Sequence, residues 1–262
     1  MKLTAAQIAE LAEYLESAQL ERREVVKITD RYPDIGMEDA YAIQNQIKQR
    51  KLARGEQIVG LKVGLTSYAK MKQMGVETPI FGFMTDTCVI QDASEIPMAT
   101  LIHPKVEPEI AFFTKAAIRG PGCNIATVLA ATDFVMPAIE VIDSRYRDFK
   151  FDLVSVVADN TSATRFIVGG KATPVTNLDL AALGVVLEKN GRIEMVGAGA
   201  AVVGHPATAV AMLANHLAAC GEEIPAGSII LSGGITEAIP VQAGDSISLQ
   251  IQHLGGVTTR FV

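Results

Sequence analysis

The sequence predicts an α+β protein with helices at its N-terminus and a strand-rich body after them. Three observations carry that prediction. Apolar residues recur at helical spacing before Gly55 and again after Pro206. Between and beyond these stretches the apolar runs are short and bounded by Gly, Pro, Asn or Asp. A regular alternation of strand and helix is missing, which argues against a dinucleotide-binding or eight-fold barrel arrangement.

The elements follow in order. Thr4 and Gln7 read as a capping box that opens the first helix, and Ile8, Leu11 and Leu15 form its stripe. A second helix starts near Met37, buries Ala40, Ile43 and Ile47, and ends at Gly55. These helices make an N-terminal portion, residues 1–55, ahead of a β-rich body, residues 56–262. Residues 58–66 read as a strand carrying one lysine, Lys62. A polar, Met-rich segment follows to Met84, with Pro79 and Gly82 as breakers. Strands are expected over 88–90, 110–114, 138–142, 164–168, 184–189 and 200–204, with a short helix over 126–133. Pro206 suits the first turn of a helix that Gly221 ends. Residues 228–232 and 246–252 are β-like.

Composition narrows the function. The chain has 262 residues, 49% hydrophobic and 20% charged, with a net charge of −6, enough for a full core. Basic residues are not clustered, so nucleic acid is not an expected partner. No apolar run spans a bilayer, and the N-terminus reads as an amphipathic helix rather than a signal peptide. The three cysteines, Cys88, Cys123 and Cys220, lack zinc or disulfide spacing, which fits a reducing cytoplasm. Gly197 and Gly199 lack the third glycine of a dinucleotide fingerprint, and neither a Walker A sequence nor a G-x-S-x-G elbow is present.

The residues that point to chemistry are acidic. Glu107 and Glu109 stand two apart on an expected strand, so their carboxylates share a face roughly 7 Å apart. The solvated face of an edge strand is the ordinary reading of such a pair. Glu140 changes the balance, because it interrupts the apolar run from Val135 to Ile142, where a lone carboxylate is costly unless paired or metal-bound. Three carboxylates from two strands make an oxygen site suited to Mg²⁺ or Mn²⁺, with positions open to water or substrate. Lys62 either meets an anionic substrate or extends its ammonium outward to water. Lys105 and Arg145 read as cations that neutralise the glutamates. The cluster Asp159, Asn160, Thr161 and Ser162 reads as a turn, with Ser162 able to donate into a pocket. The loop from Ser232 to Thr236 carries Gly233 and Gly234, which let backbone N–H groups approach a ligand. His103, His205, His216 and His253 lack metal-ligand spacing and read as structural or surface residues.

Several segments together resemble the hydratase/decarboxylase branch of the fumarylacetoacetate hydrolase superfamily: HPKVEPEIAF, VMPAIEVIDSRYRDFKFD, VVADNTSATRF and AGSIILSGGITEAIPVQAGDSI. The resemblance covers nearly the whole chain, including the helical segment around Glu38 to Gln44. It implies a mixed β-sandwich or roll with Mg²⁺ or Mn²⁺ on Glu107, Glu109 and Glu140, a catalytic and substrate-binding Lys62, and a pocket Ser162. It also implies metal-dependent decarboxylation of a small dicarboxylate, 2-oxo-3-hexenedioate, to 2-hydroxypenta-2,4-dienoate. The alternatives are hydration of that dienol, or a non-catalytic subunit of the hydratase, with which decarboxylases of this branch are expected to associate. Ile80 stands where the branch's hydratases carry an aspartate, which favours decarboxylation. Ile80, Phe81 and Phe83 are expected around the departing carboxylate, with Gly233 and Thr236 in the substrate pocket.

Overall fold

Helix α1 (Ala5–Glu21) opens on the expected box: Thr4 Oγ1 accepts from the Gln7 N–H, and the Gln7 side chain accepts from the Thr4 N–H. After a short α2 (Ile28–Arg31) comes α3 (Met37–Ala53). Ile8, Leu11, Leu15, Ala40, Ile43 and Ile47 are all buried, and each large apolar side chain contributes roughly 1.5–3 kcal/mol. The computed structural model describes residues 1–262, apart from the side chains of Lys70, Gln73 and Met74.

The body begins with β1 (Ile58–Gly64), α4 (Tyr68–Met74), β2 (Ile80–Thr85), β3 (Val89–Ile90) and β4 (Glu95–Ile96). The long strand β5 (Lys105–Thr114), helix α5 (Ile125–Ala131) and strand β6 (Thr132–Ile142) follow. Helix α6 (Leu153–Ala158), β7 (Ala163–Val168), β8 (Gly184–Lys189), β9 (Arg192–Ala198) and α7 (Pro206–Ala219) come next. The chain ends with β10 (Ile229–Leu231), β11 (Ile239–Pro240), β12 (Ser246–Ile251) and β13 (Gly255–Phe261).

These strands form two mixed sheets. The larger runs β2-β1-β10-β5-β6-β7-β3, with β11 on β5, and the smaller runs β4-β13-β12-β8-β9. Val106, Ile110 and Phe112 of β5 and Val135, Ile139 and Val141 of β6 share a core with Ile247, Leu249, Val257 and Phe261 of the smaller sheet. The alternate residues of β5 and β6 therefore face the other side of the large sheet. There Ala111, Ala138, Phe166 and Leu231 pack with Met84 and Cys88, while α1, α3 and α6 enclose a further core with Ile80, Phe83 and Tyr146.

Three expectations need correction, and the fold adds a C-terminal strand. Residues 80–85 are a fully buried strand, not a polar segment. Gly82 does not break it; a Cβ there would meet Thr161 Oγ1 at 2.4 Å, so the glycine permits close approach of another loop. Residues 200–204 are not a strand: Gly199–Ala201 is a 3₁₀ turn, and Val203 and Gly204 have positive φ. The strand lies earlier, at β9. Strand β13, which the apolar-run criterion passes over, alternates buried Val257, Thr259 and Phe261 with Gly256, Thr258 and Arg260. Among the described residues no helix is long and apolar enough to cross a membrane.

Candidate metal centre

Strands β5 and β6 pair antiparallel with Glu107 directly opposite Glu140 and Glu109 opposite Ala138. Pleat alternation puts all three glutamates on the face of the large sheet away from the inter-sheet core. Their carboxylate oxygens come within 4.8 Å of one another. Glu109 and Glu140 are essentially fully buried, and Glu107 is half-buried.

Lys62 comes to the same face from β1. Its Nζ lies 2.8 Å from Glu140 Oε1 and donates to the Thr161 carbonyl at 3.1 Å. Burial pulls the ammonium pKa down, but Glu140, Glu107 and Glu109 outweigh it and hold Lys62 above the ordinary lysine value. Glu109 moves far in the other direction for a carboxylate. Burial and then the Glu140 charge push its carboxyl well above the usual range, against the pull of Lys62.

The Gly233 N–H donates to Glu109 Oε2 at 2.6 Å. Gly233 has φ +106°, and a Cβ there would meet Thr66 at 2.3 Å, so no other residue fits easily. Gly234 lies against Glu107, whose Cδ would be 3.1 Å from an added Cβ. The glycine pair is thus a backbone surface laid against two of the three carboxylates.

Glu109 Oε1 and both Glu140 oxygens find no hydrogen-bond donor beyond the Lys62 ammonium among the described residues. Buried acceptors are ordinarily satisfied, so this arrangement leaves coordination capacity unspent. Three convergent hard oxygen donors, two of them in a dry setting, fit a divalent cation such as Mg²⁺ or Mn²⁺.

A cavity of about 310 Å³ reaches the cluster at Glu107. Leu65, Thr66, Ala201, Ile235 and Thr236 also line it. Ser162 Oγ and Ser232 Oγ are buried without a partner among the described residues. Ile80 is buried on the Lys62 face of β2, opposite Gly64 and two residues from Gly82. Phe81 and Phe83 alternate to the opposite face and line a second cavity with Tyr41, Gln44 and His216. They do not surround the carboxylate cluster.

Two expected neutralising cations are engaged elsewhere. The Lys105 ammonium sits 4.0 Å from the centroid of the Phe149 ring. Arg145 pairs with buried Asp159 and donates to the Asp143 carbonyl at 2.7 Å and Thr164 Oγ1 at 3.1 Å. Burial pushes Asp159 up to about 6 even though the Arg145 guanidinium pulls it down. Among the histidines, His205 Nδ1 accepts from Ala207 N–H to cap α7, and His103 Nδ1 lies 3.0 Å from Glu24. The Thr161 carbonyl escapes sequence reasoning altogether, since a backbone acceptor leaves no compositional trace.

The two-layer fold and its carboxylate trio define a metal-competent enzyme scaffold. Residues 58–262 match the fumarylacetoacetate hydrolase C-terminal family model, and the chain belongs to that family. It is 58% identical to a 4-oxalocrotonate decarboxylase of Pseudomonas sp. (strain CF600) over 260 residues, 99% of this chain and 98% of that protein. It is 40% identical to a 2-hydroxyhexa-2,4-dienoate hydratase of Comamonas testosteroni, with 91% of each chain covered. The solved structure of 4-oxalocrotonate decarboxylase from Pseudomonas putida G7, complexed with magnesium and adipate, is similar with a TM-score of 0.98. That match has 54% identity and covers 100% of this chain and 99% of that one.

Proposed function

We propose that this chain is a metal-dependent carboxy-lyase that converts 2-oxo-3-hexenedioate (4-oxalocrotonate) to 2-hydroxypenta-2,4-dienoate and CO₂. The observation that carries this reading is the convergent carboxylate trio of half-buried Glu107 and buried Glu109 and Glu140, in a chain 58% identical to a 4-oxalocrotonate decarboxylase. In the reaction the bond between C5 and the distal carboxylate breaks. Its electron pair moves through the C3–C4 double bond to the C2 oxygen, which takes up a proton, and CO₂ leaves. Glu107, Glu109 and Glu140 would hold Mg²⁺ or Mn²⁺, which would supply a Lewis acid for the 2-oxo acid end of the substrate.

The chain's own residues shape the rest. Lys62 offsets part of the glutamates' negative charge and favours an anionic substrate beside them. The Gly233 N–H holds Glu109 in place. Leu65, Ala201 and Ile235 give the cavity an apolar wall that limits water around the departing carboxylate. Ser162 and Thr236 supply hydroxyls on the substrate side. Ile80 provides no acid–base carboxylate for adding water.

The deciding experiment supplies purified protein with 2-oxo-3-hexenedioate, with and without Mg²⁺, and follows CO₂. Magnesium-dependent CO₂ release is expected. Formation of 4-hydroxy-2-oxopentanoate from the dienol, without CO₂ release from the dicarboxylate, identifies a hydratase instead.

Three further readings belong to this proposal. Residues 1–55 are an N-terminal helical portion and residues 56–262 the catalytic domain. The product dienol is unstable, which favours association with the hydratase that consumes it; co-purification of the two proteins tests that. The three free cysteines suit a reducing cytoplasm.

A further inference from the structure

We propose that Asn160 is a positioning residue that sets the direction of the Lys62 ammonium. Asn160, Thr161 and Ser162 have φ values of 46°, 51° and 60°, three successive non-glycine residues in the left-handed region. Such residues are sparsely tolerated, and a run of three requires the surroundings to hold it. Asn160 supplies a specific hold. Its Oδ1 accepts from the Phe83 N–H at 3.0 Å, and its Nδ2 donates to the Phe83 carbonyl at 2.9 Å. One carboxamide thus satisfies both polar groups of a β2 residue, as a neighbouring strand would.

Gly82 lets the turn approach, because a Cβ there would collide with Thr161 Oγ1. The far side is tied down by Asp143 N–H donating to the Ser162 carbonyl at 2.9 Å. The outcome is a Thr161 carbonyl aimed at Lys62 Nζ, 3.1 Å away. An ammonium has three protons. The Thr161 carbonyl and Glu140 engage two of them, which fixes the direction of the third. Without the turn, Glu140 alone would hold Nζ, which could then rotate about that single contact. Asn160 touches neither the carboxylate trio nor the lining of the 310 Å³ cavity among the described contacts, so its effect on the site passes through Thr161 and Lys62.

The inference rests on the role proposed for Lys62, and a double-mutant cycle separates the two. Asn160→Ala is expected to lower kcat roughly 100-fold, the scale of a small misplacement of a reacting group. KM and the Mg²⁺ concentration for half-activity should each move by less than about threefold. In a Lys62→Met background the same substitution should have no further effect on kcat. A crystal structure of Asn160→Ala should show Nζ beyond hydrogen-bonding distance of the Thr161 carbonyl. If Asn160→Ala fails to fold, Asn160→Asp, which has the same shape but lacks the Nδ2 donor, carries the same cycle. Equal losses of kcat in both backgrounds, or wild-type kcat in Asn160→Ala, overturn the positioning role and leave the proposed decarboxylation intact. Wild-type kcat in Lys62→Met removes Lys62 from the site and takes this inference with it.

Discussion

Two buried ion pairs lie close together on the path out of β6, and they are built to opposite ends. Arg145 and Asp159 saturate each other: the guanidinium also reaches the Asp143 carbonyl and Thr164 Oγ1, while Asp159 Oδ2 accepts from the Arg145 N–H at 3.2 Å. Lys62 and Glu140 leave capacity unspent, because one ammonium faces three carboxylates and several buried oxygens lack donors among the described residues. A saturated pair holds the chain in one geometry. An unsaturated pair invites a ligand of opposite charge. The difference separates a clamp from a site without reference to any homologue.

The most forceful way to break the comparison is to remove a donor from the unsaturated side. Glu107→Gln or Glu109→Gln should cut Mg²⁺-dependent CO₂ release by roughly three orders of magnitude, the scale of a lost Lewis acid. EDTA should do the same to the unaltered protein, and both variants should still unfold cooperatively. Full activity of these variants in EDTA would sink the metal site.

Next comes the clamp. Arg145→Leu strands Asp159 in a dry interior and should cost about 3–5 kcal/mol in denaturant unfolding. Replacing Asp159 as well should recover part of that loss. A midpoint unchanged in the single variant would show that the pair holds nothing.

Lys62→Met should lower kcat by about 100-fold, at the low end for a positioned proton-handling or charged group. In saturating Mg²⁺ its unfolding midpoint should move less than that of Arg145→Leu. The reverse order would make Lys62 the clamp and Arg145 the functional cation.

The smallest effect belongs to a buried carboxylate satisfied by peptide N–H donors, with the N-terminal ammonium a lesser contribution. Asp39 accepts from the N–H groups of Lys2 at 2.8 Å and Leu3 at 3.0 Å. Burial raises its pKa, but these peptide donors and that of Gly36 outweigh burial and hold it below the usual value. Its stabilisation is therefore complete above the unfolded pKa near 3.8 and is lost as pH falls through the lower folded value. Asp39→Ala should cost about 1 kcal/mol at pH 7, in line with lost capping interactions, and less in strong acid. A penalty that grows on acidification would contradict that origin.

Much of this was legible in the residues. The Glu107 and Glu109 spacing and the apolar run around Glu140 place three carboxylates on one sheet face because strand periodicity is rigid. The two N-terminal helices follow from a capping box and a 3.6-residue stripe. Illegible were features set by contacts distant in sequence. Gly82 looks like a breaker until Thr161 is seen against it. Arg145 looks like a counter-ion for the glutamates until Asp159 is found beside it. Residues 200–204 are apolar enough for a strand, yet the 3₁₀ turn at Gly199–Ala201 and the positive φ of Val203 and Gly204 make them a corner.

The facing of Glu107 and Glu140 across β5 and β6 bears on how the chain avoids folding wrongly. A slip of one residue between these strands would turn Glu107 and Glu109 into the interface between the two sheets and push Val106 and Ile110 out of it. Carboxylates trapped there would have no solvent and no cation, so the misaligned hairpin is heavily penalised. The charges that make a metal site on one face thus act during folding as a proofreading mark for strand alignment.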